Sequence, residues 1–280
     1  MDAPPSRQCR SQNCNPISQK SVSRRERNRR ICPLVQRNIA PQARPRFGLS
    51  RTHSERLDCA QREGRRRILG LSDAREAAGY HYHERVDVDA SHHAVDRYVQ
   101  LARFAGADTS GPACFPLPRG RAIPSLELPD RFIVLHPFAR GHAKSLTSEE
   151  IFEFTRLLAP HPVFIVGRSE DYFTVSRNAI SLVNQTDLLQ LIWLLRGASF
   201  IISVDSGPMH IAAAITPDLL SIHTWTDPRL VGPYNPDAWI WKNQRIEQVR
   251  AIADEVRSKR SRGRPNLLQI AKFVHGRLLQ

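Results

Sequence analysis

An aspartate, a serine, a glycine and a histidine stand close together in Ser203-Val204-Asp205-Ser206-Gly207-Pro208-Met209-His210-Ile211-Ala212-Ala213-Ala214, where an apolar run meets a helix-forming one. Backbone N–H groups at a helix start lack intrahelical partners and carry partial positive charge, so the junction suits the diphosphate of a nucleotide without a Walker-type lysine. Gly207 permits close approach of the backbone, Ser206 adds a hydroxyl, and Asp205 and His210 can hold sugar hydroxyls. A carboxylate and an imidazole flanking a turn in so apolar a run would be costly without a task.

Three further segments carry groups suited to a nucleotide sugar. In His136-Pro137-Phe138-Ala139-Arg140-Gly141-His142-Ala143-Lys144, the cations Arg140 and Lys144 can neutralise a departing diphosphate, whose negative charge grows in the transition state. Gly167-Arg168-Ser169-Glu170 offers Glu170 to a ribose or a base edge. Thr224-Trp225-Thr226-Asp227-Pro228 follows an apolar run and could close the pocket, with Thr226 and Asp227 as further candidate contacts. Taken singly, Lys144 reads as a surface lysine, His136 and His142 as loop histidines, and Trp225 as a core residue.

The elements that must position these groups alternate in type. Arg131 to His136 reads as a strand, Thr147-Ser148-Glu149-Glu150 as a capping-box helix start, and Val163 to Val166 as a second strand ending at Gly167. Ile180 to Val183 reads as a short third strand, Thr186 as the cap of a helix through Leu195, and Phe200 to Val204 and Leu219 to His223 as two more strands. Such alternation specifies a parallel sheet with helices on both faces, and ligands of such sheets bind at the carboxyl ends of the strands. Val95, Tyr98, Val99 and Ala102 predict an earlier helix, and Leu267, Ile270, Ala271, Val274 and Leu278 a final one. Between them, Pro112, Pro116, Pro118, Pro124 and Pro129 break residues 106–130, which suits an interdomain linker better than a packed element.

The net charge of +14 is concentrated at one end. Residues 1–66 hold 16 Lys and Arg against 5 Asp and Glu, whereas the other 214 residues hold 25 against 22. The same 66 residues contain only 9 Ile, Leu, Val or Phe, too few to offset the entropy of ordering the chain, so disorder is expected there. Nucleic acid or an anionic membrane could meet that segment through charge, and nucleic acid is not expected to bind elsewhere. Of the 5 cysteines, Cys9, Cys14, Cys32 and Cys59 fall in this segment without metal-ligand spacing, and the odd number argues against a disulfide framework. No apolar run approaches the roughly 18 residues of a membrane span, and no secretory signal opens the chain, so a cytoplasmic protein is expected.

Residues 131–242 resemble the C-terminal half of the glycosyltransferase family 9 proteins, the ADP-heptose:lipopolysaccharide heptosyltransferases. The resemblance rests on the strand and loop ending at Lys144, on Gly167, on Asp205-Ser206-Gly207-Pro208-Met209-His210-Ile211-Ala212-Ala213-Ala214, and on Thr226-Asp227-Pro228. Arg67-Ile68-Leu69-Gly70-Leu71-Ser72-Asp73-Ala74-Arg75-Glu76 and His93-Ala94-Val95-Asp96-Arg97-Tyr98 resemble the later part of the family's N-terminal domain.

The resemblance implies an α/β fold of GT-B type. It divides the chain into the basic segment 1–66, a remnant of an acceptor-side Rossmann-like domain at 67–105, a linker at 106–130, a Rossmann-like donor domain with a parallel sheet at 131–262, and a C-terminal helix at 263–280. It implies inverting, metal-independent transfer of heptose from ADP-heptose, with no cofactor beyond that donor, to a lipid-linked lipopolysaccharide core acceptor at the inner face of the cytoplasmic membrane. By motif position Lys144 contacts the donor phosphates, Glu170 the adenosine, and Asp205, Ser206, Gly207 and His210 the diphosphate and sugar. The family's base is an aspartate in a Gly-Asp loop after the first N-terminal strand. Met1 to Arg66 holds Arg24-Arg25-Glu26-Arg27-Asn28-Arg29-Arg30 and no such strand, and Asp73 matches a later family position, so no catalytic residue is assigned. The abrupt composition change where the resemblance begins is what a misassigned start or a shifted reading frame would produce. The alternative function is binding without turnover, of a nucleotide sugar or, through a genuine basic tail, of nucleic acid.

Overall fold

The computed structural model describes residues 68–74, 78–252 and 263–279. The chain divides into two compact units, Met1–Arg44 and Pro45–Gln280, and the described residues all belong to the second. The basic segment 1–66 and its expected disorder lie outside the described residues.

Two short parallel strands, β1 (Leu69–Leu71) and β2 (Glu84–Val86), open the described chain and are followed by α1 (Ala94–Phe104). Leu71, Val86 and Leu101 form their small core. The helix is the predicted one, but Val95, Tyr98, Val99 and Ala102 are only half-buried, and Leu101 is the residue that seals the contact. The start of α1 is tied to a distant loop: His93 Nε2 lies 3.1 Å from Gly232 O, and the Tyr234 hydroxyl donates to Asp96 Oδ1 at 2.6 Å.

The main sheet is built from β3 (Ile133–His136), β4 (Val163–Ile165), β5 (Ala179–Ser181), β6 (Phe200–Val204), β7 (Leu219–Ile222), β8 (Trp239–Lys242) and β9 (Arg245–Gln248). Its order is β5-β4-β3-β6-β7-β8-β9, parallel through β8, with β9 antiparallel at the edge. Through β8 this is the order of a Rossmann-like sheet, which reverses direction between its first and fourth strands. The final pair is a hairpin whose two loop residues, Asn243 (φ 51°) and Gln244 (φ 64°), take the left-handed conformation that matches strand twist.

Strands β3, β6 and β7 are buried along their whole length because both sheet faces are covered, which explains their unbroken apolar runs. Successive residues point to opposite faces. Ile133, Leu135, Phe200, Ile202 and Val204 meet α2 (Ser148–Leu157) and α6 (Leu267–Leu278), while Val134, Ile201 and Leu219 meet α3 (Leu188–Gly197) and α4 (Gly207–Ala213). The Thr147–Glu150 capping box starts α2 as predicted. The cap of α3 is Asp187 rather than Thr186: its carboxylate accepts from Gln190 N, and the Gln190 side chain accepts from Asp187 N, each at 2.9 Å. The third strand lies slightly earlier than predicted, and β8 and β9 were not anticipated.

The proline-rich stretch is not a free tether. Ile123, Leu126 and Leu128 pack on the core, Arg121 N donates to Leu189 O at 3.0 Å, and the Arg121 side chain pairs with Asp187. Proline leaves this strap without a regular ladder, so it uses α3 as its partner instead. Gly120 makes the approach possible: its φ is +88°, and a Cβ there would lie 2.5 Å from Trp193 N and 2.8 Å from Leu189 O. We expect Gly120→Ala to destabilise the fold by about 1–3 kcal/mol, read as a lower urea midpoint with an unchanged slope. An unchanged midpoint would mean that the strap is not held to α3.

Candidate functional site

The sheet reverses direction between β3 and β6, so the chains leaving these neighbouring strands diverge and open a crevice at their carboxyl ends. His136 is the last residue of β3 and only 6% exposed. It closes the strand predicted to end at His136 and is buried there, not set in a loop as its residue type taken singly suggested. Its Nδ1 lies 3.1 Å from Ser206 Oγ, across the crevice. Ser206 occupies the N-cap position of α4 without capping it, and its hydroxyl also lies 3.0 Å from Val204 O. Pro208 lacks an N–H and Met209 N donates to Ser206 O at 3.1 Å, so this helix start offers fewer amides than an open phosphate cradle.

Beside it, three of the predicted segments converge on one carboxylate. Lys144, at the end of a short 3₁₀ turn, donates from Nζ to Asp205 Oδ2 at 2.8 Å, and the Thr226 hydroxyl donates to the same oxygen at 2.7 Å. The pair is largely sheltered, with side chains 27% and 11% exposed. Thr224 Oγ1 also donates to Ala143 O at 3.3 Å, and the ammonium of the buried Lys242 donates to Thr226 O at 2.5 Å. Burial alone would raise the Asp205 carboxyl; His223, charged only at the low pH where Asp205 itself titrates, and the bonds from Lys144 and Thr226 outweigh it and hold the group below the ordinary carboxylate range.

The other candidates are dispersed. Gly167, with φ +132°, passes so close to the site that a Cβ would lie 2.7 Å from Phe138 and 2.9 Å from His136 Nε2. Exposed Arg140 borders a cavity of about 480 Å³ at the crevice, with Phe138, Leu188 and Leu191 on its walls and His136 and Ser206 at its floor. Glu170 instead borders a second cavity of about 600 Å³, beside Ser145, Thr147 and Arg168 at the start of α2. Gly207 opens α4 and is exposed, as is His210 further along that helix.

Asp227 is already engaged. It caps α5 (Pro228–Val231), accepting from Arg229 N at 3.0 Å, and binds the Arg229 guanidinium at 2.6 Å. Trp225, predicted as core, is 45% exposed. Asp73 pairs with Arg97. Among the described residues no group of three or more His, Cys, Asp or Glu is gathered to hold a metal, and no helix is long and apolar enough to cross a membrane.

Sequence reasoning assigned no task to His136, His223 or Lys242. Their shared signal is a polar residue closing an otherwise apolar strand, repeated at the ends of β3, β7 and β8.

The sequence profile of glycosyltransferase family 9 (heptosyltransferase) matches residues 60–255, most of the chain. This chain belongs to glycosyltransferase family 9. No curated protein matches it. Among solved structures, this family 9 glycosyltransferase is similar to the Escherichia coli ADP-heptose lps heptosyltransferase II, with 18% identity and a TM-score of 0.59 over 83% of this chain and 76% of that one. It is also similar to E. coli heptosyltransferase WaaC with ADP, at 18% identity and TM-score 0.50 over 75% of this chain and 65% of that one. A family 9 transferase from Veillonella parvula matches at 15% and 0.51, over 76% and 67%. The likeness is one of fold: the family 9 chain is a mixed α/β protein with a mostly parallel sheet, similar to the GT-B-like heptosyltransferases.

Burial holds both His136 and His223 at about 4, so the folded protein keeps them neutral while the unfolded chain protonates near the ordinary 6.5. The stabilisation is present above about pH 6.5 and is lost as pH falls toward 4, by about 3 kcal/mol for His136. The lowered Asp205 adds a loss only at still lower pH, below the ordinary 3.8. The urea midpoint should therefore fall between pH 7.5 and 4.5, and His136→Gln should shrink the fall.

Proposed function

We propose that residues 131–262 bind the nucleotide-sugar donor ADP-heptose, and that the chain transfers the heptose to a lipid-linked saccharide acceptor of lipopolysaccharide core at the inner membrane face. The observation that carries this reading is the Lys144–Asp205 pair, fixed at 2.8 Å beside the crevice where the sheet reverses. Departure of ADP builds negative charge on the diphosphate. An ammonium already oriented by a carboxylate stabilises that charge without reorganising at the moment of reaction. Support comes from two structurally similar E. coli proteins: one is an ADP-heptose lps heptosyltransferase, and the other is a heptosyltransferase solved with ADP.

In this reading the cavity bounded by Phe138, Leu188 and Leu191 receives the planar base, with Arg140 at its rim. Ser206, Gly207 and His210 face the diphosphate and sugar. Both bonds to Asp205 fall on Oδ2, so Oδ1 is the oxygen assigned to a sugar hydroxyl. Thr226 shapes the site through Asp205. Glu170 reaches a ribose only from the neighbouring cavity, and Asp227 acts through its cap. Residues 67–105 are the acceptor side, joined by 106–130, and 263–280 brace the donor domain. Inversion requires the acceptor hydroxyl to attack opposite the leaving ADP and to surrender its proton; the base for that step is unassigned.

Titration with ADP-heptose, run beside a transfer assay on core acceptor, tests the proposal. Lys144→Ala and Asp205→Ala should each weaken binding at least tenfold, about 1.4 kcal/mol, with folding retained. Unchanged affinity in both would remove the site assignment.

A further inference from the structure

His223 is a buried imidazole to which donor binding gives no direct role. It is fully buried just past β7, with Nε2 3.0 Å from Ser221 Oγ and Nδ1 3.0 Å from Thr226 Oγ1. The proton positions follow from valence. The Thr226 hydroxyl has one hydrogen, and at 2.7 Å from Asp205 Oδ2 that hydrogen goes to the carboxylate, which only accepts. Thr226 Oγ1 must then accept from His223, which places the imidazole proton on Nδ1. Nε2 is left as an acceptor, and the Ser221 hydroxyl donates to it. The bonds run one way, from Ser221 to His223 to Thr226 to Asp205, where they meet Lys144 on the same oxygen. Lys242 steadies the Thr226 carbonyl at 2.5 Å.

We propose that His223 is a positioning residue for donor binding: by donating from Nδ1 to Thr226 it orients the hydroxyl that holds Asp205, and through Asp205 it sets the place of Lys144. The proposal rests on the donor reading above. The one-way direction of the bonds, with Ser221 donating into the ring, belongs to the neutral imidazole, and the fold enforces neutrality: the ring is buried, and beside Asp205 the charged or titratable groups near it are the cations Lys242 and Lys144 and the imidazole of His210. A phenylalanine could fill the same volume, but it would leave the buried Ser221 hydroxyl without its partner and the Thr226 hydroxyl, still bonded to Asp205, without the donor that orients it. Unpartnered buried groups of this kind are costly, and a fully satisfied network fixes one geometry.

Two measurements test this. Imidazole nitrogen NMR shifts of the wild-type chain near pH 7 should show His223 neutral and protonated on Nδ1; protonation on Nε2 would overturn the relay. Titration with ADP-heptose should then find His223→Asn within about threefold of wild type, since its amide N–H can replace Nδ1–H, and His223→Phe weakened about tenfold. On a Thr226→Val background, His223→Phe should cost nothing further, because the link it serves is already gone. Wild-type affinity in folded His223→Phe, or additive losses in the double variant, would overturn the proposal. A wild-type chain that binds no ADP-heptose overturns the donor reading instead, and the tautomer alone then decides the relay.

Discussion

The Lys144–Asp205 pair joins two chain segments that the sheet topology drives apart. Strands β3 and β6 are neighbours, but the chain leaves β3 toward one edge and β6 toward the other. Loops that diverge in this way have no ladder to fix their relative position, and an ion pair between residues 61 apart in sequence supplies the missing restraint. Sheltered charges are stable only when each finds a partner. That condition explains why Thr226 donates to the same oxygen and why Lys242 holds the Thr226 carbonyl. The loop after β7 is thereby drawn onto the same point, and the ends of three strands become one rigid edge.

The same loop connects the site to the first described helix. Beyond Thr226 it runs through the Asp227 cap and α5 to Gly232 and Tyr234, which receive His93 and Asp96 from α1. The cap sets the direction in which the chain leaves Asp205, and the short helix sets where α1 can dock. A shift of the Asp205 carboxylate would therefore reach α1 along the bonded chain from Thr226 to Tyr234. From the other side, the segment before α6 braces the Lys144 loop: Arg264 bonds Ser145 O at 2.9 Å and pairs with Glu150 of the α2 capping box.

Much of this was legible in the sequence, for reasons that differ by residue. The buried parallel strands announce themselves because coverage on both faces demands unbroken apolar runs, as in Phe200–Val204. The α2 cap is legible because a capping box is local chemistry. Lys144 and Asp205 could be nominated by residue type and by family resemblance, but their 2.8 Å bond depends on strand order, which no local pattern encodes. His136 and His223 were given no role because a histidine closing a strand says nothing of its partners until the depth of the sheet and the neighbouring loops are known. Asp227 shows what residue type alone does not tell: its oxygens are bonded to Arg229 and to the start of a short helix, a local pairing that only the folded loop reveals. The packing of the proline-rich strap was not legible because its partner, α3, lies some seventy residues away in sequence.

The most direct measurement is a crystal structure of the full chain with ADP. A donor site built on the Lys144–Asp205 pair requires the diphosphate within hydrogen-bond distance of Lys144 Nζ and beside Ser206 and Gly207, with the adenine in the cavity walled by Phe138, Leu188 and Leu191. ADP bound away from the carboxyl ends of β3 and β6, or bound with Lys144 out of reach of its phosphates, would contradict that assignment.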